Sequence, residues 1–140
     1  MIQINELRIG NYVNVCDYVG KMILPIGLYR KVSGIMINGV DLTTPFEENE
    51  FILPYQMVGS ILLTEEILLK CGFEKYVKAN ETFFKVTDTF ELHQFNEKGD
   101  FSYKCGDNLE GNFVNIRVDY LHQLQNLYFV LIGKELNVNL

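Results

Sequence analysis

The stretch Asp119–Gly133, DYLHQLQNLYFVLIG, constrains the fold more than any other part of the chain. At 100° per residue, Tyr120, Leu121, Leu124, Leu127, Tyr128, Leu131 and Ile132 fall within an arc of roughly 140°, the stripe of a helix laid against a core. His122, Gln123 and Asn126 lie on the other side. Asp119 stands where a carboxylate caps a first turn, and Gly133 where a left-handed residue ends a helix, with Lys134 after it. Such a helix persists by packing on something. The segments before it read as strands, so it is expected across a sheet. His122, Gln125 and Phe129 form a second line at i, i+3 and i+7. Phe129 reads either as the edge of the core stripe or as part of a partner-facing strip.

The segment before this helix supplies the sheet. Thr64–Gly72 carries a second, shorter helix signal. Thr64 suits the N-cap, Glu65 and Glu66 suit the first turn, and Gly72 suits the residue after the last turn. Residues 76–118 then read as an antiparallel meander of four strands, Thr82–Val86, Phe90–Phe95, Phe101–Cys105 and Phe113–Val118. Thr87-Asp88, Asn96–Asp100 and Gly106–Gly111 read as its turns. The last six residues, ELNVNL, alternate at Leu136, Val138 and Leu140, as an added edge strand would.

Residues 1–60 lack helical period and hold all three prolines, Pro25, Pro45 and Pro54. Leu7–Val13 reads as a strand with a kink or turn at Gly10-Asn11. Asn38-Gly39, flanked by Ile35, Ile37, Val40 and Leu42, is the signature of a two-residue type I′ hairpin. Thr44–Glu50 reads as an acidic loop, and Phe51–Tyr55 and Met57–Leu63 as further short strands. The expected fold class is therefore α+β. A small N-terminal β-barrel or meander, SH3-like in form, occupies residues 1–62. An α+β part over 63–140 follows, with its short helix, four-stranded antiparallel sheet and C-terminal packing helix. No flexible linker separates the two, so one compact unit is expected.

Composition excludes several function classes. The 140 residues are 48% hydrophobic and 13% aromatic, which is incompatible with wholesale disorder. A net charge of −6 with twelve scattered basic residues is a poor footprint for phosphate neutralisation. Cys16, Cys71 and Cys105 are odd in number and far apart, which reads as reduced thiols in a cytoplasmic protein. The N-terminus lacks the apolar core of a signal peptide. The longest apolar-biased run, Phe51–Leu63, is too short and interrupted to span a membrane, so no membrane association is expected.

The chain holds no C-x-x-C, H-x-x-x-H, phosphate-loop or dinucleotide-loop spacing. Catalytic, metal-binding and cofactor-binding residues are accordingly none, and no cofactor is expected. His93 and His122 with one cysteine could converge as metal ligands only through the fold. Cys105 with His93 on neighbouring strands is formally a nucleophile and base, but its parity with Phe101 and Tyr103 points to a buried structural thiol. Glu65/Glu66 is explained by the helix dipole, and Glu47/Glu48 reads as a solvated loop. Tyr12, Tyr18, Tyr29 and Tyr55 either cover the core or form one aromatic binding face on the N-terminal barrel.

Three segments, ELRIGNYV at 6–13, LTEEILLKCGFEK at 63–75 and YLHQLQNLYFVLIGKEL at 120–136, resemble a widespread family of small uncharacterised proteins from Bacteroidetes genomes, their phages and mobile elements. The run His122–Phe129 is the most specific part of the resemblance, which spans nearly the whole chain. Members often carry an aromatic residue near Ile67 and a smaller residue near Val130, and this chain departs at both. The resemblance implies a shared fold and a phage or mobile-element setting, and it brings no activity or site residues. The expected function is a non-enzymatic interaction protein that binds an unknown protein partner or itself. The alternative is a nucleic-acid-binding module, with Arg8, Lys21, Arg30 and Lys31 clustered beside the tyrosines. An enzyme would need a pocket that joins His93 or His122 to a carboxylate.

Overall fold

A computed structural model describes residues 2–19, 22–43, 51–96, 99–107 and 112–140. The acidic loop 44–50, with Glu47 and Glu48, lies outside the described residues, as do Lys21 and the turn residues 108–111. The fold is α+β, built from two antiparallel sheets of five strands and two helices. β1 (Tyr12–Val19), β2 (Met22–Met36), β3 (Gly39–Leu42), β4 (Phe51–Leu53) and β5 (Val58–Gly59) form the first sheet, in the order β4-β3-β2-β1-β5. α1 (Glu65–Lys70) follows. β6 (Glu74–Lys78), β7 (Glu81–Thr87), β8 (Phe90–Gln94), β9 (Phe101–Asp107) and β10 (Asn112–Val118) form the second sheet in sequential order, and α2 (Leu121–Ile132) closes the chain.

The expected small barrel is instead an open sheet. Among the described residues no pairing joins β4 to β5, so both remain edges. β2 makes the sheet curve. Its first part pairs with β1, and after a register shift between Val32 and Gly34 its last residues pair with β3. The Asn38-Gly39 hairpin forms, but one residue out of place. Met36 pairs with Gly39, so the turn is Ile37-Asn38 and Gly39 belongs to β3. The reason is steric: a Cβ at Gly39 would stand 2.4 Å from the Leu53 carbonyl oxygen of β4. This glycine serves a close approach rather than a turn.

The second sheet has five strands, not four. Glu74–Lys78 escaped the sequence reading because its residues alternate weakly and carry charge, as edge strands do. It joins β7 through a two-residue turn at Ala79-Asn80, both with positive φ (52° and 65°). α1 is capped as expected, with the Ile67 N–H donating to Thr64 Oγ1 at 3.3 Å and Gly72 left-handed at φ +81°. The tail 135–140 forms no strand; Leu136 and Val138 pack into the core, and the Asn139 N–H donates to the Lys70 carbonyl.

Two buried clusters result. One, from Ile2 to Val58, lies within the first sheet. The other runs from Ile61 to Val138 and gathers Phe84, Phe90, Leu92 and Phe101 of the second sheet under Leu121, Leu124 and Tyr128 of α2. Tyr12 and Tyr29 of the first sheet pack against it too.

α2 departs from its expected orientation. Leu131, read as part of the core stripe, is exposed, while His122, read on the polar side, and Gln125, of the second line, are buried. Their partners come from the chain's first twelve residues. Gln125 Oε1 accepts from the Tyr12 N–H at 2.8 Å, and Gln125 Nε2 donates to the Gly10 carbonyl at 3.1 Å. Asn126 Nδ2 donates to the Glu6 carbonyl, and Asn126 Oδ1 accepts from Asn11 and Arg8. Arg8 also pairs with Glu135 and lies 4.2 Å over the Phe129 ring. The line His122, Gln125 and Phe129 is thus filled from within the chain. Asp119 does not cap α2: it accepts from Arg117, and Gln123 turns back to accept the Asp119 and Tyr120 N–H groups.

Replacing Gln125 by Ala leaves the Tyr12 N–H and the Gly10 carbonyl without their side-chain partner. The expected loss of stability is about 2 kcal/mol or more in chemical denaturation; a loss below about 0.5 kcal/mol would mean that the junction is not held this way.

The same junction makes stability depend on pH. His122 is fully buried, neither ring nitrogen has a hydrogen-bond partner, and Glu6 Oε2 stands 3.7 Å from Nε2. Burial lowers its pKa below the usual 6.5, more than the Glu6 carboxylate raises it. The unfolded chain therefore binds a proton more readily than the folded one as pH falls through 6.5. Stability is expected to fall from pH 7 toward pH 5.5, by less than about 1.4 kcal/mol per pH unit. His122→Phe should flatten that slope in denaturant midpoints measured across the window.

Candidate interaction surface

The outer edge of β1 is covered piece by piece. At Tyr12 the N–H is bound by Gln125 of α2, and at Asn14 and Val15 the strand pairs with β5. Gly59 of β5 must lack a side chain, because a Cβ there would lie 2.8 Å from Cys16 Sγ. Beyond Val15 the cover ends. On the other flank, among the described residues, β3 and the Thr43 after it reach β2 only from Lys31 onward. Cys16–Val19 and Met22–Leu28 therefore form a two-stranded arm with, among the described residues, no strand on either side.

The arm is apolar on both faces. Tyr18 opposes Ile23 on one face, and Val19 opposes Met22 on the other. Met22 is 61% exposed, Tyr18 58%, Val19 54% and Ile26 50%. At the arm's base a register shift leaves Ile26 and Gly27 as extra residues; Gly27 takes φ +74° and donates its N–H to Asn14 Oδ1. Below the β1 edge runs a groove of about 290 Å³ between Cys16, Ile23, Pro25, Val58, Gly59 and Tyr120. It shares Pro25 and Ser60 with a hollow of about 370 Å³ bounded by Tyr29, Leu62, Ile67 and Leu140.

This surface is the feature that the sequence reading missed. A signal was present. Met22–Leu28, MILPIGL, is apolar without a polar alternation, so a strand there has two greasy faces. Whether anything covers those faces is a tertiary matter, and here little does.

The residues singled out from sequence are dispersed. Tyr12 and Tyr29 pack on the second core, Tyr55 packs on the first core and donates to the Met36 carbonyl, and Tyr18 projects on the arm. Arg8 is engaged by Glu135 and Asn126, and Arg30 donates to the Tyr29 carbonyl. Of the two readings of the tyrosines, the described residues favour core cover: the tyrosines do not gather into one aromatic face.

Cys105 is exposed rather than buried. It pairs with Val114 and shares a sheet face with Tyr103 and Leu92, whereas His93 points to the other face. The Cys–His pair is therefore not assembled. Cys16 and Cys71 are buried, and burial pushes both thiols up, Cys71 to about 12. Thiols held protonated are weak nucleophiles.

His93 sits in a ring stack on the outer face of the second sheet. Its ring is 4.9 Å from Phe83 and 4.7 Å from Phe95, and Glu81 Oε2 lies 3.6 Å from Nε2. His93 and Glu81 border an open hollow of about 720 Å³ that also meets Lys75, itself paired with Glu65. Ser102 faces His93 across the β8–β9 ladder, but its hydroxyl is buried and without a hydrogen-bond partner. A serine activated by a histidine needs that bond and an open path to substrate. Among the described residues no group of three His, Cys, Asp or Glu side chains could hold a metal ion, and no helix is long and apolar enough to cross a membrane. No protein-family model, curated protein or solved structure matches the chain.

Proposed function

We propose that this chain is a non-enzymatic protein-interaction protein that works in the cytoplasm through the β1–β2 arm. The observation that carries the reading is the arm itself: a ribbon apolar on both faces, with no strand on either edge among the described residues, beside an apolar groove. A two-stranded ribbon alone is marginal in water, and a partner that covers it removes the exposed surface and completes the sheet. The groups that could have spoken for catalysis are separated by the fold, as with Cys105 and His93, or closed in, as with Ser102 and His122. A phage or mobile-element setting is part of the proposal and rests on the resemblance of the segments at 6–13, 63–75 and 120–136. The nucleic-acid reading has the weaker support, since Tyr12, Tyr29 and Tyr55 are turned into the cores and Arg8 is engaged.

Pull-down of the tagged chain from its host cells, with and without nuclease and read by mass spectrometry, tests the proposal. The expected result is a protein retained in both arms of the experiment and lost with Met22→Lys, an exposed position whose change leaves the cores untouched. A partner set that disappears with nuclease and ignores Met22→Lys would overturn it.

A further inference from the structure

Independently of that reading, we propose that Asn38-Gly39 is a site of spontaneous covalent modification in the folded chain, and that its isoaspartate product loosens β4 from β3. This is the one Asn-Gly pair in the sequence; every other asparagine precedes a residue that carries a Cβ. A following glycine leaves its main-chain nitrogen unshielded, so the asparagine carboxamide before it is chemically labile.

The structure sharpens this in three ways. Ile37 and Asn38 form the turn between β2 and β3, and both are exposed. Neither takes a positive φ, whereas the two-residue turns that match the twist of a hairpin require one or two such residues. A mismatched turn splays its strands and opens readily, and opening releases the Gly39 nitrogen from its pairing with Met36. Position 39 cannot take another residue, since a Cβ there would run into the Leu53 carbonyl oxygen. The neighbour of Asn38 has to be glycine for a reason that has nothing to do with the turn.

The reaction needs only water. The Gly39 main-chain nitrogen gives its proton to a solvent base and attacks Cγ of Asn38. The Cγ–Nδ2 bond breaks, the nitrogen leaves as ammonia with a proton from solvent, and a succinimide remains. Water then opens one of its two carbonyls. Opening at Cγ yields aspartate in an unchanged chain. Opening at the main-chain carbonyl yields isoaspartate, in which the chain runs through Cβ and Cγ and is longer by one atom. The sum is carboxamide plus water to carboxylate plus ammonium, with no change of oxidation state.

The added atom falls where the fold has little room. Gly39 is buried and seated against the Leu53 carbonyl, with Ile52 close by. Val40, which opposes Leu53, is 0% exposed, and Leu42 is 2% exposed. Strand register decides which side chains face the core, so a longer chain at the start of β3 sets its inward residues against its pairing. Val40 and Leu42 hold the core, and the pairing with β4 is the weaker tie. β4 has three residues and forms an edge of its sheet, so it gives way first.

Incubation of the full folded chain at mildly alkaline pH follows the reaction, with peptide mapping by mass spectrometry and an isoaspartate-specific methyltransferase as readouts. The expected result is loss of the Asn38 amide well ahead of every other asparagine, with isoaspartate the major product. In the isolated isoaspartate species, hydrogen exchange should show protection falling in β3 and β4 and kept in β7 to β9, and the thermal midpoint should drop. Asn38→Gln would have to close a larger ring, and it should keep its mass and midpoint through the same incubation. Asn38→Asp, measured fresh, carries the new charge on a chain of unchanged length, and its exchange should match the unaged protein. An Asn38 amide lost only in denaturant, or no faster than the other asparagines, would overturn the site. Isoaspartate at position 38 with β3 and β4 still protected, or an Asn38→Asp chain loosened just as much, would overturn the consequence drawn from chain length.

Discussion

The carboxamide of Gln125 fastens the molecule. An amide side chain at a helix position facing a strand edge can offer an acceptor and a donor at once, which is what a strand leaving a turn requires. The Tyr12 N–H and the Gly10 carbonyl are main-chain groups at the start of β1, on the side away from β2, where among the described residues no strand pairs. α2 thus does two jobs with two faces. Leu121, Leu124 and Tyr128 close the core of the second sheet, and Gln125 and Asn126 complete the backbone of the first. His122 shares that buried polar line without a partner of its own, so it carries the desolvation cost that makes the junction sensitive to protons.

The cover along β1 explains where binding surface can exist. A strand edge is safe where something satisfies it, and α2 and β5 satisfy the edge only through Val15. Beyond Val15 a local device satisfies one donor, the Asp17 carboxylate on the Tyr18 N–H. That bond is short in sequence and exposed to water, so an incoming strand can replace it at little cost, whereas the bonds at Gly10 and Tyr12 are locked under a helix.

What the sequence made legible was local. Thr64, Glu65 and Gly72 bracket α1 because a cap acts on its own neighbours, and the strands of β7 to β10 follow from alternation within each segment. What failed was set at a distance. The burial of His122 and Gln125 was not legible because the groups they meet, Glu6, Gly10 and Tyr12, lie more than a hundred residues earlier. Gly39 left its turn because the Leu53 carbonyl occupies the space of a Cβ. Cys105 shares parity with buried Phe101 yet lies exposed, so parity alone did not decide burial. The arm was readable as strands but not as a surface, since alternation reports which faces are apolar and says nothing of what lies against them.

The connection between the two sheets is bonded on both sides. Val58 and Gly59 pair with β1, and just beyond them the Leu63 N–H donates to the Asp119 carbonyl while the Leu121 N–H donates to that of Ile61. Ile61 and Leu63 are buried in the second core. A cut anywhere in this stretch would strip an edge from one sheet and a core side chain from the other. Either half on its own would therefore carry an open sheet edge or an incomplete core.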